Sequence, residues 1–597
     1  MNRRSNYRYK KAAKGRYFLI FSFFVFFFAF LILRLIYLQV LSHSRYKEIA
    51  EASRNVVINL PPKRGVILDR NMEKLAMNVP KYSVYAIPRC ITQKEKTADM
   101  LASILGISKA EVLEKLSKDK LFVWIDRKVS DEKARKIKER ALKGVDFVAE
   151  SERSYPNNCL LAHVLGFADI DNRGLEGLEM YYDKELRGVS GYRRVVVDAK
   201  RRQVSSSDEG FLPARNGYNL VLTIDEAIQH IAEKAMMSAI LKHHAKSASV
   251  VVMNPYTGDI LALSNYPTYN PNNFVDSTPD ERRDRAVTDL FEPGSSFKVI
   301  TASAVLSEKV VGLDDEFFCE NGEYRIAGKI LHDAHPYGLI KFKNVIEVSS
   351  NIGIVKAAQR LGPDRLYKYI KLFGFNNKTG INLPGEVTGI LRPTSAWSKT
   401  SMVAIPIGQE VGVTAIQLAA AISAIANGGV LLQPRIVDRV IDDKGALIKK
   451  FKPKAIRRVI SIDTCDKVKE ILKMVVDTGT GKRAAVLGYS AAGKTGTGQR
   501  IEADGSYSHS KFNSVFIGFA PAENPKLAIA VVFVEPSPYY YGGTVAAPVF
   551  SEIATNTLGY LSISPDAPKK INPVRSKVPK APAAPSVRTS NGVKKRR

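Results

Sequence analysis

Hydrophobic positions run unbroken from Tyr17 to Leu33, with eight phenylalanines and only Ser22 against the trend. Arg34 follows, and Leu35 to Leu41 is apolar again. A run with no polar face does not belong on a surface helix. Residues 17–33 as helix rise about 25 Å, close to the ~30 Å hydrocarbon core of a bilayer. Arg34 can snorkel to the headgroups, so the helix extends toward Leu41. The pattern predicts a transmembrane anchor over 17–41, retained because no A-x-A-like cleavage site follows it.

Beyond it, residues 42–60 are polar and read as helix leading out of the membrane. Arg64-Gly65-Val66-Ile67-Leu68-Asp69-Arg70 reads as an apolar strand bounded by charge. Residues 92–145 are rich in Lys and Glu with apolar positions at helical spacing (Ala98, Leu101, Ile104, Leu105). They predict a small α+β unit with solvated helix faces. Glycines at 166, 174, 177, 188 and 191 punctuate the next stretch. From Leu220 the texture changes. Leu220–Ile224 reads as a strand, Asp225 as a helix cap, and positions 228, 231, 232, 235, 236, 239 and 240 as a core-facing stripe. Ser249–Met253 and Ile260–Leu263 read as strands around the turn Asn254–Gly258. Ser514–Ala520 and Leu527–Val534 read as two more, and Ala546–Leu558 as a closing helix. Strands and helices at both ends of a long region imply one sheet assembled from distant sequence with a helical insert. The expected domains are a basic tail (1–16), the anchor (17–41), a non-catalytic pedestal (42–217), a catalytic-size α/β domain (218–560) and a basic Pro-rich tail (561–597), disordered from Pro565.

Charge sharpens this picture. The 597 residues carry a formal net charge of +30, which suggests an anionic partner. Residues 1–16 hold seven basic side chains and no acid, and residues 565–597 hold ten with one acid, Asp566. More than half of the excess therefore sits on two short tails. The first block before the apolar run predicts a cytoplasmic N-terminus and an exported remainder. That removes support for nucleic acid as partner of the middle. The four cysteines, Cys90, Cys159, Cys319 and Cys465, form no metal or redox pattern.

Three segments carry chemistry. In Phe291-Glu292-Pro293-Gly294-Ser295-Ser296-Phe297-Lys298 a Pro-Gly turn precedes an apolar helix. Ser295 then lies at a helix start with Lys298 on the same face, and a lysine that burial keeps neutral can take the serine's proton. Ser349-Ser350-Asn351 precedes a second helix-like run. Lys494-Thr495-Gly496-Thr497-Gly498 precedes the apolar strands, where a glycine admits a substrate backbone and hydroxyls with a lysine receive a carboxylate. His332 and His335 read as loop or cleft residues, His163 as structural, and His243-His244 as a positive helix end favoured by the dipole. Tyr539–Gly543 reads as a loop beside the active site. No G-x-S-x-G with partnering His and Asp suggests a triad hydrolase.

The ordered set S-x-x-K, S-x-N, K-T-G resembles the serine acyl-transfer signature of penicillin-binding proteins and β-lactamases. Over about residues 20–560 the chain resembles a class B penicillin-binding protein, most closely the septal transpeptidases of the FtsI family. Arg64–Asn71 resembles the family's first non-catalytic motif, departing at Met72, where glycine is common. Arg153-Ser154-Tyr155-Pro156, Ala162–Phe167 and Gly174–Glu179 resemble the later pedestal motifs.

The resemblance implies an α/β (α+β) chain: one transmembrane helix, an elongated α+β pedestal and a β-lactamase-like transpeptidase domain with a central antiparallel sheet flanked by helices. It implies Ser295 as acylated nucleophile, Lys298 as its base, Ser349 as proton relay tuned by Lys494, and Asn351 as ligand of the peptide amide. Thr495, Gly496 and Thr497 would hold the substrate's terminal carboxylate, and the backbone N–H groups of Ser295 and Thr497 would form the oxyanion hole. No metal and no organic cofactor are implied. The implied partners are peptidoglycan stem peptides (a D-Ala-D-Ala donor and an amine acceptor), β-lactam antibiotics, an FtsW-type glycan polymerase and other division proteins. The implied place is the cytoplasmic membrane at the septum, with the catalytic domain outside. Ser350 favours the division type over the elongation type. An anchored D,D-carboxypeptidase or β-lactamase, and a penicillin-binding scaffold or sensor, are the competing readings.

Overall fold

A single helix, Arg3–Ile36 (α1), carries the basic block into the apolar run, and a π-helical turn over Tyr37–Leu41 extends it. In this computed structural model, which describes residues 3–120, 122–197, 203–502 and 504–567, Lys14–Leu41 is long and apolar enough to cross a membrane and is not buried in the protein. Arg34 does not stop the helix; its guanidinium lies 5.3 Å from the centre of the Tyr37 ring. The tail expected to be disordered lies, beyond residue 567, outside the described residues.

Residues 42–60 are helical only over His43–Arg54; Asn55–Leu60 is a strand, antiparallel to Gly191–Val197. The correction has a local reason: Val56, Val57 and Ile58 are β-branched and favour extended backbone. Further out, Lys74–Ala86 pairs along one edge with Val145–Ser154 and along the other with Val123–Val129. The helices Lys94–Leu105, Lys109–Ser117 and Asp131–Glu139 bury Ala98, Leu101, Leu105, Val112, Leu116 and Ile137 against them. Their other faces carry i,i+4 ion pairs in solvent, as the Lys/Glu pattern predicts.

The segment 64–70 departs from expectation. Only Ile67–Leu68 is strand, parallel to Asn219–Leu222 and antiparallel to Lys74–Ala86. Its flanking charges are not all solvated, because Arg64 and Asp69 are buried. Arg64 Nε and Arg153 Nε each lie 2.6 Å from one oxygen of Glu179, and Arg64 Nη1 lies 2.6 Å from Asp183. Arg64 Nη1 and Nη2 also donate to the carbonyls of Asn172 and Glu179, and Arg153 Nη1 to that of Gly65, while Arg153 Nη2 is buried without a partner. Three of the four pedestal motifs thus meet in one buried ion cluster.

The same sheet continues into the C-terminal half of the chain: Val437–Ile441 pairs with Asn219–Leu222, and Leu447–Lys450 lies beyond it. His163, packed from the N-terminal side, places Nε2 at 2.9 Å from the Glu281 carbonyl and 3.1 Å from that of Pro267. Burial lowers its pKa to about 4, which suits a structural role.

The second sheet holds five antiparallel strands: Ser247–Met253 (β1), Ile260–Tyr266 (β2), Ala492–Ile501 (β3), Tyr507–Ala520 (β4) and Leu527–Val534 (β5), in the order β2-β1-β5-β4-β3. Its helices are Glu226–His243 (α2), Lys298–Ser307 (α3), Asn351–Leu361 (α4), Ala415–Ala426 (α5), Ile462–Asp477 (α6) and Gly542–Tyr560 (α7). Val250, Val252, Ile529, Val531 and Phe533 pack with α2 and α7. The alternate residues Val251, Met253, Val515, Ile517 and Val532 pack with α3, α5 and α6. Covering both faces is why these strands read as continuous apolar runs rather than alternating ones. Asp225 caps α2 through the N–H groups of Ala227 and Ile228, at 3.1 and 3.3 Å. At its other end His243 is buried, and burial first, then Lys242, lowers its pKa. The expected positive charge on it therefore loses to desolvation.

Candidate active site

The serine turn lies directly on the edge strand β3, and glycines make this possible. A Cβ at Gly294 (φ +53°) would stand 2.6 Å from the Thr497 carbonyl oxygen, and one at Gly496 would stand 2.6 Å from that of Pro293. Either side chain would push the turn away from the strand. A 3-10 turn over Gly294–Phe297 leads into α3. Ser295 is half-buried on that turn, while Lys298, the first residue of α3, is fully buried.

Lys298 Nζ donates to the Ser349 carbonyl and to Asn351 Oδ1, both at 2.7 Å, and lies 3.2 Å from Ser349 Oγ. All three contacts go to the S-x-N segment and none to Ser295. Lys494 Nζ reaches the same Ser349 Oγ at 3.0 Å, with the Thr495 carbonyl and Oγ1 at 3.1 and 3.3 Å. Ser349 holds this position between two amines on a left-handed backbone, φ +63°. Burial lowers the Lys298 pKa to about 7, against the opposing pull of Asp333. Burial, and then the charge of Lys298, holds Lys494 well below the ordinary lysine range. Near neutral pH this pair supplies an amine able to accept a proton.

The three motifs, far apart in sequence, therefore share one hydrogen-bonded set: Lys298, Ser349, Asn351, Lys494 and Thr495. Ser295 and Gly496 adjoin it through the turn-on-strand contact. Thr497 Oγ1 accepts at 3.1 Å from the N–H of Gly542, the first residue of α7, so the loop expected over Tyr539–Gly543 ends at Tyr541. In that loop Tyr540 stacks on Phe512 with centroids 4.1 Å apart. As the outermost strand, β3 has backbone groups that do not pair with β4, the requirement for receiving an extended peptide or an oxyanion.

Two supports escaped the motif reading. The Asp333 carboxylate accepts from Ser350 Oγ at 2.6 Å, from the Ile352 N–H at 3.1 Å and from the Asn351 N–H. Ser350 Oγ in turn caps the Gly353 N–H at 2.9 Å. One carboxylate from outside α4 thus fixes the start of α4, where Asn351 sits. Its neighbour His332 takes the Asn351 amide on its carbonyl at 2.7 Å, so this histidine borders the site through its backbone. The second support is Thr480, whose Oγ1 lies 2.9 Å from Thr495 Oγ1. A lone Asp and a lone Thr carry no pattern in the sequence, so no local signal marked them.

Comparison with known proteins adds independent findings. The family model described as the penicillin binding protein transpeptidase domain matches residues 248–555, and that of the penicillin-binding protein dimerisation domain matches residues 59–222. Stage V sporulation protein D of Bacillus subtilis is 39% identical over 540 residues, 89% of this chain and 83% of that protein. Peptidoglycan D,D-transpeptidase FtsI of Escherichia coli K12 is 31% identical over 550 residues, 90% of each chain. The crystal structure of penicillin binding protein 3 from Mycobacterium tuberculosis complexed with aztreonam superposes with a TM-score of 0.68 at 29% identity, covering 86% of this chain and 99% of that one.

Proposed function

The chain belongs to the class B penicillin-binding proteins and is a peptidoglycan D,D-transpeptidase, and from that premise we propose that it cross-links stem peptides at the division septum through an acyl-enzyme on Ser295. The observation that carries the site assignment is the shared Ser349 hydroxyl between two buried amines, one of them with a pKa near 7.

Ser295 Oγ attacks the carbonyl carbon of the penultimate D-alanine while Lys298 takes the hydroxyl proton. The N–H groups of Ser295 and Thr497 receive the oxyanion, a contribution of about 3–4 kcal/mol per donor in acyl-transfer sites. Asn351 holds the peptide amide, and Thr495 and Thr497, on either side of Gly496, hold the terminal carboxylate. The C–N bond breaks, Ser349 passes a proton to the leaving nitrogen under the field of Lys494, and D-alanine departs. An amine of a neighbouring strand then attacks the ester, the new amide forms and the serine hydroxyl is restored. A β-lactam opens on the same serine.

The septal reading rests on Ser350 within the S-x-N motif, and the topology on the basic block ahead of the apolar helix. The N-terminus then lies in the cytoplasm and the catalytic domain outside the membrane, beside an FtsW-type polymerase that supplies glycan. Gel labelling with a fluorescent penicillin tests the nucleophile: the wild type labels and Ser295→Ala does not, and persistent labelling of the variant would refute the assignment. Depletion in cells separates the roles, because loss of a septal enzyme gives filaments whereas loss of an elongation enzyme gives rounded cells.

A further inference from the structure

Two adjoining grooves lie on the catalytic half, of about 280 and 70 Å³, and Pro434 forms a wall of both. They sit where that half meets the pedestal: Phe451, on the larger groove, packs edge-on against Tyr182 with ring centroids 6.3 Å apart. Among the described residues no Asp and no Glu lines either groove. Six cations do: Lys378 and Arg457 in the smaller, Arg435, Lys450, Lys452 and Lys454 in the larger. Arg435 is neutralised by Asp259 at 2.5 Å and Asp438 at 2.9 Å. Lys378, Lys450, Lys452 and Lys454 are exposed, and none pairs with a carboxylate among the described residues. Glu386 comes close to the smaller groove, but its carboxylate accepts from the N–H groups of Thr379 and Gly380. The crowding of cations reaches inward. Burial, and then the charge of Arg457, lowers the Lys371 pKa, and Lys371 donates only to the Asn376 carbonyl and to Asn377 Oδ1. Lysine on an outermost strand also discourages edge pairing, which accounts for Lys449 and Lys450 on the strand Leu447–Lys450. It does not account for Lys378, Lys452 and Lys454, which lie on no strand.

We propose that these grooves hold an anionic envelope polymer of phosphodiester units, laid across the junction of the catalytic half and the pedestal. With the catalytic domain outside the membrane, the placement on which this reading rests, nucleic acid is out of reach. Uncompensated cations along a recessed wall focus a positive field on whatever lies in the groove. The free cations are mostly lysines, point charges that suit phosphate without fixing its orientation; a reader of carboxylates favours the arginine fork. Two adjoining grooves suit a chain rather than a single ion, and their recess does not suit the broad headgroup plane of a membrane. None of the lining residues belongs to the lysine–serine set, so the polymer would tether the enzyme without entering its active site.

The test is binding of a fluorescent glycerol-phosphate oligomer to the detergent-solubilised full chain, read by anisotropy over a range of salt concentrations. Lys450→Gln, Lys452→Gln and Lys454→Gln together should weaken binding about tenfold, the sum of three contacts each the size of an exposed ion pair, and should flatten its salt dependence. The basic tails also attract polyanions, so a second variant removes the same charge from the pedestal: Lys94→Gln, Lys96→Gln and Lys120→Gln. Screened from the grooves, that change should alter binding less than about twofold. No binding of the oligomer, or equal weakening by both variants, overturns the proposal. So does displacement of the oligomer by phosphatidylglycerol in mixed micelles, or by polyglutamate, at equal charge concentration, because the partner is then a membrane or a carboxylate chain. The three groove lysines are exposed, and penicillin labelling of the same preparations confirms that the variants are folded and reports on Ser295 separately. Oligomer binding in solution does not depend on which side of the membrane the domain lies. Protease treatment of intact cells tests that placement by itself, so the two failures are distinguishable.

Discussion

The pedestal and the catalytic domain each bury a pair of positive charges, and they do so in opposite ways. In the pedestal, Arg64 and Arg153 are closed in around Glu179, with Asp183 alongside. The carboxylates hold the Arg64 pKa above its usual value although burial pulls it down. In the catalytic domain, Lys298 and Lys494 are equally buried, but they meet hydroxyls, an amide and carbonyls instead of a carboxylate, and burial drives both pKa values down. Arginine cannot discharge by losing its proton, so it needs a counter-ion; lysine can, so it does not. The first arrangement locks distant segments together. The second keeps a proton acceptor at hand at the expense of stability.

The contrast is sharpest in the largest expected effect. Lys298→Met should slow penicillin acylation by about 10²–10⁴-fold, the usual worth of a general base, measured by stopped-flow or gel labelling, without unfolding the chain. Glu179→Ala should leave the acylation chemistry untouched in the folded fraction yet destabilise by about 3–5 kcal/mol, because it strands two guanidinium groups. Thermal unfolding of the full chain in detergent reads this, and a loss below about 1 kcal/mol, the scale of a surface pair, would break the comparison. The next effect is on pH. Acylation should rise with pH and level off above about 7 as Lys298 loses its proton.

Stability carries the same signature. The folded pKa is depressed from 10.5 to about 7, so between those values the unfolded chain binds the extra proton and wild-type stability increases with pH. The advantage of Lys298→Met should therefore be greatest below pH 7 and shrink toward pH 10.5. The smallest effect belongs to Asp333→Asn. Removing the carboxylate that favours charged Lys298 should move the acylation midpoint to lower pH, a displacement that mere loosening of α4 would not produce.

The three motifs of the candidate site were legible because each is local. Ser295 and Lys298 lie one helical turn apart, Ser349 and Asn351 flank one residue, and Lys494–Thr497 lie on one strand. What holds those pieces was not legible. Asp333 reaches α4 from outside it, and Thr480 reaches Thr495 from the segment after α6. Arg64 read only as a charge bounding a strand, because a sequence shows a charge and not the carboxylate that will meet it. The strand Asn55–Leu60 was hidden by the polar residues before it, its partner lying far along the chain.

Sequence alone determined the apolar helix, the alternation of buried strands and helices at both ends of the catalytic domain, and the three motifs with the reaction they imply. Each depends on residues within a few positions of one another, where backbone geometry fixes which side chains share a face. Tertiary structure decided which charges are paired and which are left to discharge, how Ser349 comes to stand between two amines, and that one sheet runs from the pedestal into the catalytic half. Desolvation and its compensation depend on neighbours brought from far away in the chain, and only the fold supplies those.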